Sequence, residues 1–248
     1  MKFFDLSYFV GCFSKLMPYL PLTLMILLIA MAITIPLSAF LAWRNLQGNA
    51  AERGLIRLYI QVIRGAPFIV MLFVVYFGIP KLMLALFGID INGWNKASYI
   101  IITMVLFQSA RMSEAMRAAY LAVPRGQMEA VYSCGMTGLQ GFLHVMLPQT
   151  VLVVLPNLGN LVLSSLLETA VGFSVGIIDF VGNARMVTSR DYGLHTLEIY
   201  LAVALVYWAL AVLLARLFAL LEGALARRQG RTLSGRSSER KGRRAARV

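Results

Sequence analysis

Residues 19–43, YLPLTLMILLIAMAITIPLSAFLAW, form an apolar run of 25 positions without a charged side chain. A helix needs about 20 apolar residues to cross the hydrocarbon core of a bilayer. The run therefore predicts a membrane-spanning helix. It is too long for the apolar core of a signal peptide and lacks a convincing small-residue cleavage site, so we expect it to remain as the first span.

Composition supports a membrane protein throughout. Of the 248 residues, 59% are hydrophobic and 14% are charged, whereas a soluble domain carries about 25% charged residues. Four further apolar stretches are long enough to cross a bilayer, at residues 58–82, 99–120, 151–168 and 197–221. The sequence predicts an all-α membrane protein with about five transmembrane helices. The segment 171–181 is apolar but broken by glycines and Asp179, so we expect it to lie inside the protein or to line a cavity.

Basic residues predict the orientation of these spans. The net charge is +12, and its excess lies in the loops after the first and third spans and in the C-terminal tail. Positively charged loops remain in the cytoplasm, which places the N-terminus outside and the tail inside. Because the charge is concentrated after an apolar helix, we expect no nucleic-acid partner. The basic residues are Arg44, Arg53, Arg57, Arg117 and Arg125, then Arg227, Arg228, Arg231, Arg236, Arg240, Lys241, Arg243, Arg244 and Arg247.

The chain divides into three predicted parts. Residues 1–17 alternate aromatic and polar positions and are expected to form an interfacial segment. Residues 18–222 form the transmembrane domain, and residues 223–248 form a basic tail that we expect to be disordered. The tail either only determines topology or also contacts anionic lipid.

The loop at residues 123–148, VPRGQMEAVYSCGMTGLQGFLHVMLP, is the most informative cytoplasmic segment. Residues 127–134 predict a short helix that stops at Gly135, because glycine commonly follows a helix C-terminus. A second short helix is expected to end at Pro148, where the fourth span begins. Two short helices exceed what a connection needs, so the loop is either a docking surface for a partner or only a surface hairpin.

This loop resembles the EAA loop of binding-protein-dependent ABC importers. Glu129-Ala130 is followed by Val131 where the family has a second alanine, and Gly135 is in register. Val145 stands where isoleucine is usual, and Leu147-Pro148 closes the motif.

Other segments resemble the polar amino-acid branch of that family. They are VIRGAPFIV at 62–70 with YFG at 76–78, SEAMR at 113–117, PRGQ at 124–127, and LPQ at 147–149 with LP at 155–156 and Asn160. The resemblance covers about residues 18–221, and the segment 168–191 is most similar to glutamate/aspartate permease subunits. It implies a type I ABC importer transmembrane domain whose 123–148 segment is the coupling loop.

The resemblance also implies partners and a location. A second permease subunit (a copy of this chain or a paralogue), two ATPase subunits that hold ATP-Mg and an extracytoplasmic amino-acid-binding protein would act together in the bacterial inner membrane. This chain has no G-x-x-x-x-G-K-[ST] phosphate-binding loop. We therefore expect no catalytic site, cofactor or metal on it, and ATP hydrolysis by a partner.

Three groups of candidate residues follow from the resemblance. Contact with the ATPase is assigned to Gly126, Glu129, Ala130, Gly135, Leu147 and Pro148. The candidate pathway or substrate residues are Arg111, Glu114, Glu168 and Thr169. Structural roles are assigned to Arg64, Gly65, Pro67, Arg117 and Asn160.

Two of the pathway assignments have alternatives. Arg111 and Glu114 are three residues apart on one helix face and are expected to pair, although Arg111 would also suit a substrate carboxylate. Glu168 either lines the pathway or closes a subunit contact. Leu167 replaces the lysine that the family often has beside this acid, so a neighbouring cation is missing from the local sequence.

Other classes of protein fit less well. An ion-coupled secondary transporter or channel is the main alternative, but it would not need an EAA loop. A membrane enzyme would need reactive groups close together, yet His144 and His195 fall on opposite sides of the predicted membrane, with no nucleophile or metal spacing around either. Cys12 and Cys134 are also predicted on opposite sides, so we expect no disulfide.

Overall fold

The computed structural model describes residues 4–124 and 126–230, with the backbone alone for 228–230. All the elements in these ranges are helical. The α-helices are α1 (Leu6–Leu16), α2 (Leu20–Gln47), α3 (Ala50–Gly65), α4 (Phe68–Phe73), α5 (Ile79–Phe87), α6 (Lys96–Ala122), α7 (Gly126–Ser133), α8 (Gly138–Gly141), α9 (Leu147–Thr169), α10 (Phe180–Arg190) and α11 (Thr196–Gly230). Short π turns join α4 to α5 and α8 to α9.

Four helical runs in the described residues are long and apolar enough to cross a membrane. They are Leu6–Gln47, Phe68–Phe87, Gly138–Val175 and Thr196–Arg227. They contain the predicted spans 19–43, 151–168 and 197–221 and most of the span 58–82. The all-helical membrane fold expected from composition is therefore confirmed.

The predicted span 99–120 forms α6, which differs from the other four. Its 27 residues extend about 40 Å, enough to cross a bilayer, but its composition is more polar. Gln108, Ser109 and Ser113 are buried on it, and it packs against α2, α3 and α9. The other helices therefore cover α6, which explains why it tolerates polar residues.

The predicted single span 58–82 is wrong, because the helix breaks at Pro67. Helix α3 ends at Gly65, Ala66 is extended with φ −105° and ψ 143°, and α4 starts at Phe68. Proline has no N–H to donate and disfavours a helical conformation in the residue before it. The second span therefore starts at Phe68 and is separated from α3 by the extended residues Ala66 and Pro67.

The segment after α9 lies inside the protein, as expected from its glycines. A 3₁₀ turn, Ala170–Val175, is followed by Asp179, which is fully buried and caps α10. The Asp179 carboxylate accepts hydrogen bonds from the backbone N–H of Gly182 (2.8 Å) and the hydroxyl of Thr23 on α2 (3.3 Å). These bonds attach α10 to the start of the first span.

The two ends of the described chain are helical. Helix α1 packs on α11: the Asp5 N–H donates to the Glu198 carboxylate (2.9 Å), and the Tyr8 ring stacks on His195 with centroids 3.8 Å apart. The placement of residues 1–17 at the membrane surface stays a prediction. Helix α11 continues to Gly230, beyond residue 223, where we placed the start of the tail. Residues 231–248, expected to be disordered, lie outside the described residues.

Candidate coupling hairpin and polar cleft

The first half of the candidate coupling loop is the short helix α7, which ends as predicted. Gly135 has φ 75°, a left-handed conformation that glycine adopts without a steric penalty. The N–H of Gly135 donates to the Tyr132 carbonyl (3.0 Å), and the N–H of Met136 donates to the Val131 carbonyl (3.2 Å). This pattern satisfies carbonyls that the end of the helix would leave unpaired.

The second half starts at a cap and does not end at Pro148, contrary to our expectation. Thr137 and Gln140 form a capping box at the start of α8. From there the chain stays helical through the π turn Phe142–Met146 into α9. Pro148 lies in the first turn of α9, immediately after the π turn. A proline that follows a π turn is accommodated without a break, so coupling segment and span form one helical run.

The two halves of the hairpin pack against each other at a close contact. Val131 and Gly141 are both buried. A Cβ atom on Gly141 would lie 3.1 Å from Val131 Cγ2, 3.2 Å from its Cβ and closer still to its Cγ1. Gln149 at the start of α9 also reaches Gln127 of α7 (3.4 Å). The sequence alone did not indicate the role of Gly141, because the burial of Val131 and its contact with Gly141 depend on how the two segments pack.

The hairpin exposes both its polar motif and several large apolar side chains. Glu129 and Ala130 are exposed. Tyr132 is 60% exposed, Leu139 69% and Leu143 47%. Apolar side chains displayed on a protruding segment are typical of a surface that contacts another protein.

The assigned coupling residues occupy two parts of this loop. Glu129, Ala130 and Gly135 lie on α7 and its C-terminal turn, and Gly126 is the first residue of α7. Leu147 and Pro148 lie in the first turn of α9.

A polar cluster joins α6 to α9 within the helix bundle. The Glu168 carboxylate accepts hydrogen bonds from Gln108 Nε2 (2.6 Å) and Arg111 Nη1 (3.1 Å). Glu114 pairs with Arg117, through Nε (3.0 Å) and Nη2 (2.5 Å). The expected pair between Arg111 and Glu114 is therefore wrong, since each binds a different partner.

Glu168 has a cationic partner, but it comes from another helix and not from the neighbouring sequence. Leu167 stands where a lysine is common, and Arg111 on α6 provides the cation instead. Gln108 is fully buried and donates to the same carboxylate. Nothing in the local sequence pattern indicated Gln108, because its partner is 60 residues away.

An open cleft with a volume of about 490 Å³ lies beside this cluster. Its polar lining consists of Arg64, Arg111, Glu114, Asn157 and Ser164. Both signs of charge are therefore present, together with an amide and a hydroxyl. Such a lining can bind a small zwitterion through its carboxylate and its ammonium group.

Four other predicted residues do not line the cleft. Thr169 is fully buried and donates to the Leu166 carbonyl (2.7 Å), so it supports the end of α9. Asn160 is exposed on α9, and Asn157, one turn earlier, lines the cleft instead. Gly65 ends α3, and Pro67 precedes α4.

Comparison with known proteins identifies the family. Residues 34–227 match the family described as the binding-protein-dependent transport system inner membrane component. The chain belongs to this family. It is a membrane-embedded permease subunit of an ABC importer and not an enzyme, and its partner ATPase hydrolyses ATP.

Several curated relatives resemble this permease subunit over nearly their whole length. The L-cystine transport system permease protein TcyL of Bacillus subtilis is 36% identical over 94% of this chain and 96% of its own. The probable amino-acid ABC transporter permease protein PatM of Vibrio harveyi is 34% identical over 86% and 92%. The octopine transport system permease protein OccM of Rhizobium radiobacter is 28% identical over 90% of each chain.

Solved structures support the same fold for the permease subunit. A chain from the crystal structure of an amino acid ABC transporter with histidines superposes with a TM-score of 0.76 at 28% identity, covering 89% of this chain and 98% of that one. A chain of the inward-facing MetNI methionine ABC transporter gives a TM-score of 0.59 at 19% identity, covering 89% and 99%. The second likeness concerns the fold alone.

Proposed function

We propose that this permease subunit forms half of the translocation pathway of an ATP-driven importer of polar amino acids. The observation that carries the proposal is the hairpin α7–α8, which protrudes between two spans and displays Glu129, Tyr132 and Leu139. A second permease subunit, identical or paralogous, completes the pathway. Two ATPase subunits bind the hairpins, and an extracytoplasmic binding protein delivers the amino acid.

The hairpin is built to transmit movement into the membrane. It continues without a break into α9, as a single helical run from Gly138 to Val175. A displacement of the hairpin by the ATPase is therefore carried along α9 to Glu168, which binds Arg111 and Gln108 on α6. Closure of the ATPase pair would in this way change the packing of α6 against α9, and with it the access to the cleft.

The chemistry of the cleft supports a zwitterionic substrate. Its arginines Arg64 and Arg111 suit an α-carboxylate, and Glu114 suits an ammonium group. Cystine, glutamine and octopine, named for relatives of this chain, all carry a carboxylate beside an amine. Glutamate and aspartate are our leading candidates, because Arg64 has no carboxylate partner among the described residues and can bind a second acidic group.

The same proposal places the subunit in a bacterial inner membrane with its N-terminus outside and the coupling hairpin in the cytoplasm. The basic residues Arg44, Arg53 and Arg57 support this orientation, since they follow the first span on the side assigned to the hairpin.

Transport in proteoliposomes tests the proposal. Vesicles would hold this subunit with its co-purified permease and ATPase partners, with ATP inside or omitted, and with binding protein outside or omitted. Radiolabelled glutamate, aspartate, glutamine, arginine and cystine would be compared. We expect uptake that requires both ATP and binding protein, strongest for the acidic amino acids.

Two outcomes would contradict different parts of the proposal. Uptake driven by an ion gradient without ATP would overturn the importer and favour an ion-coupled secondary transporter. ATP-dependent uptake of glutamine or cystine with no uptake of glutamate or aspartate would leave the importer in place and overturn the acidic substrate.

A further inference from the structure

The contact between Val131 and Gly141 fixes how closely the two halves of the coupling hairpin approach. A Cβ atom on Gly141 would overlap Val131 Cγ1 and would lie unusually close to its Cγ2 and Cβ, at 3.1 and 3.2 Å. Val131 lies within α7, where a β-branched side chain strongly prefers a single χ1 rotamer, so turning its methyl group away from Gly141 is costly. Movement of the two helices apart is therefore the expected way to relieve the overlap.

The ends of the two helices beside this contact are fixed by hydrogen bonds. The C-terminal turn of α7 is closed by the Gly135 and Met136 N–H groups, and α8 begins at the Thr137–Gln140 capping box. The connection between the helices is therefore too constrained to absorb a change in their separation. A shift at the Val131–Gly141 contact moves α8 and the exposed residues on it as a unit.

We propose that Val131 and Gly141 are a matched positioning pair that sets the separation of the coupling helices, and through it the conversion of ATP hydrolysis into transport. The EAA motif has alanine at the position of Val131, so a larger residue here is matched by the absence of a side chain at Gly141. Neither residue is exposed enough to contact a partner itself. The pair acts through the placement of Glu129, Tyr132 and Leu139, and the inference rests on the proposed function for its effect on transport.

A double-mutant comparison tests the pair. We expect Gly141→Ala to lower ATP-dependent uptake about tenfold by overpacking, with normal membrane amounts and continued ATP hydrolysis. Val131→Ala alone should reduce uptake less than about threefold, since it removes a contact without creating an overlap. Val131→Ala combined with Gly141→Ala should return uptake to within about threefold of the unmodified subunit. The control is Gly54→Ala on α3, where a Cβ atom meets nothing within 4 Å.

A second measurement does not depend on transport. Hydrogen exchange in detergent reports the Gly135 and Met136 amides, which close the end of α7. Gly141→Ala should accelerate their exchange about tenfold, and the added Val131→Ala should reverse this.

These measurements can contradict the proposed pairing of Val131 with Gly141. Full uptake by Gly141→Ala, or a double variant no better than Gly141→Ala in both assays, would overturn it. If the unmodified subunit shows no ATP-dependent uptake, the proposed function fails, and hydrogen exchange alone then decides whether the pair sets the hairpin geometry.

Discussion

Glu168 is bound by two side chains of another helix, and this makes its removal costly in two ways. Without the carboxylate, Gln108 loses its acceptor and Arg111 loses its counter-charge within the bundle. We expect Glu168→Ala to lower the free energy of unfolding in detergent by about 1–3 kcal/mol. Thermal unfolding of the purified subunit measures this, with the exposed neighbour Leu167→Ala as control.

A double-mutant cycle separates the ion pair from the packing of these side chains. Glu168→Ala leaves the partly exposed Arg111 without its counter-charge, so the added Arg111→Met should recover part of the lost stability. Additive losses would show that Arg111 and Glu168 are energetically independent. Uptake measured on the same variants separates a pathway role, which changes the KM for the amino acid, from a purely structural one.

At the scale of the element, the turn at Gly135 joins α7 to α8 in the coupling hairpin. Hydrogen bonds fix the end of α7 and the start of α8 on either side of this turn. A Cβ atom at this position would meet no other atom of the described residues within 4 Å. The left-handed backbone therefore costs an ordinary residue about 1 kcal/mol, which is too little to unfold the hairpin. An effect on transport must come from the surface that the turn presents to its partner.

We therefore expect Gly135→Asp to abolish uptake while the subunit still inserts into the membrane. Gly135→Asn, with a side chain of the same size but no charge and a tolerance for this backbone, is the matched variant and should lose less. Immunoblots of membrane fractions and uptake in the same cells measure both. Normal uptake by Gly135→Asp would refute the assignment of this turn to the ATPase contact.

At the scale of the whole molecule, a cysteine can report the orientation of the subunit in the membrane. Cys134 is exposed on the hairpin, and Cys12 is buried. In membranes stripped of peripheral subunits, we expect a membrane-impermeant maleimide to label Cys134 in inside-out vesicles but not in spheroplasts. Cys134→Ser should abolish the signal. Labelling in spheroplasts alone would reverse the predicted topology.

Hydropathy predicted most of the spans because lipid exposure leaves a long apolar run in the sequence. The break at Pro67 was missed although Gln61 and Arg64 precede it, because the residues that follow it, 68–79, form a continuous apolar run. The hairpin was predictable because its determinants, Glu129 and Gly135, are local. Its continuity with α9 was not, because the π turn before Pro148 has no clear sequence signal.

The candidate site was less predictable than the fold. Residue spacing suggested that Arg111 pairs with Glu114 on the same helix, whereas the pairing with Glu168 depends on how α6 packs against α9. The Val131–Gly141 contact depends in the same way on how two helices cross. Which side chains pair across ten or more residues depends on how the helices pack, and a single sequence does not reveal this packing.

The polar character of α6 has a consequence for how the chain enters the membrane during its synthesis. An arginine near the middle of an isolated helix costs about 3 kcal/mol to insert, and Arg111 gains its counter-charge from a helix made later. Helix α2, which packs against α6 more extensively than any other helix does, is made earlier and can shelter it. Correct insertion of α6 therefore depends both on α2, made before it, and on α9, made after it.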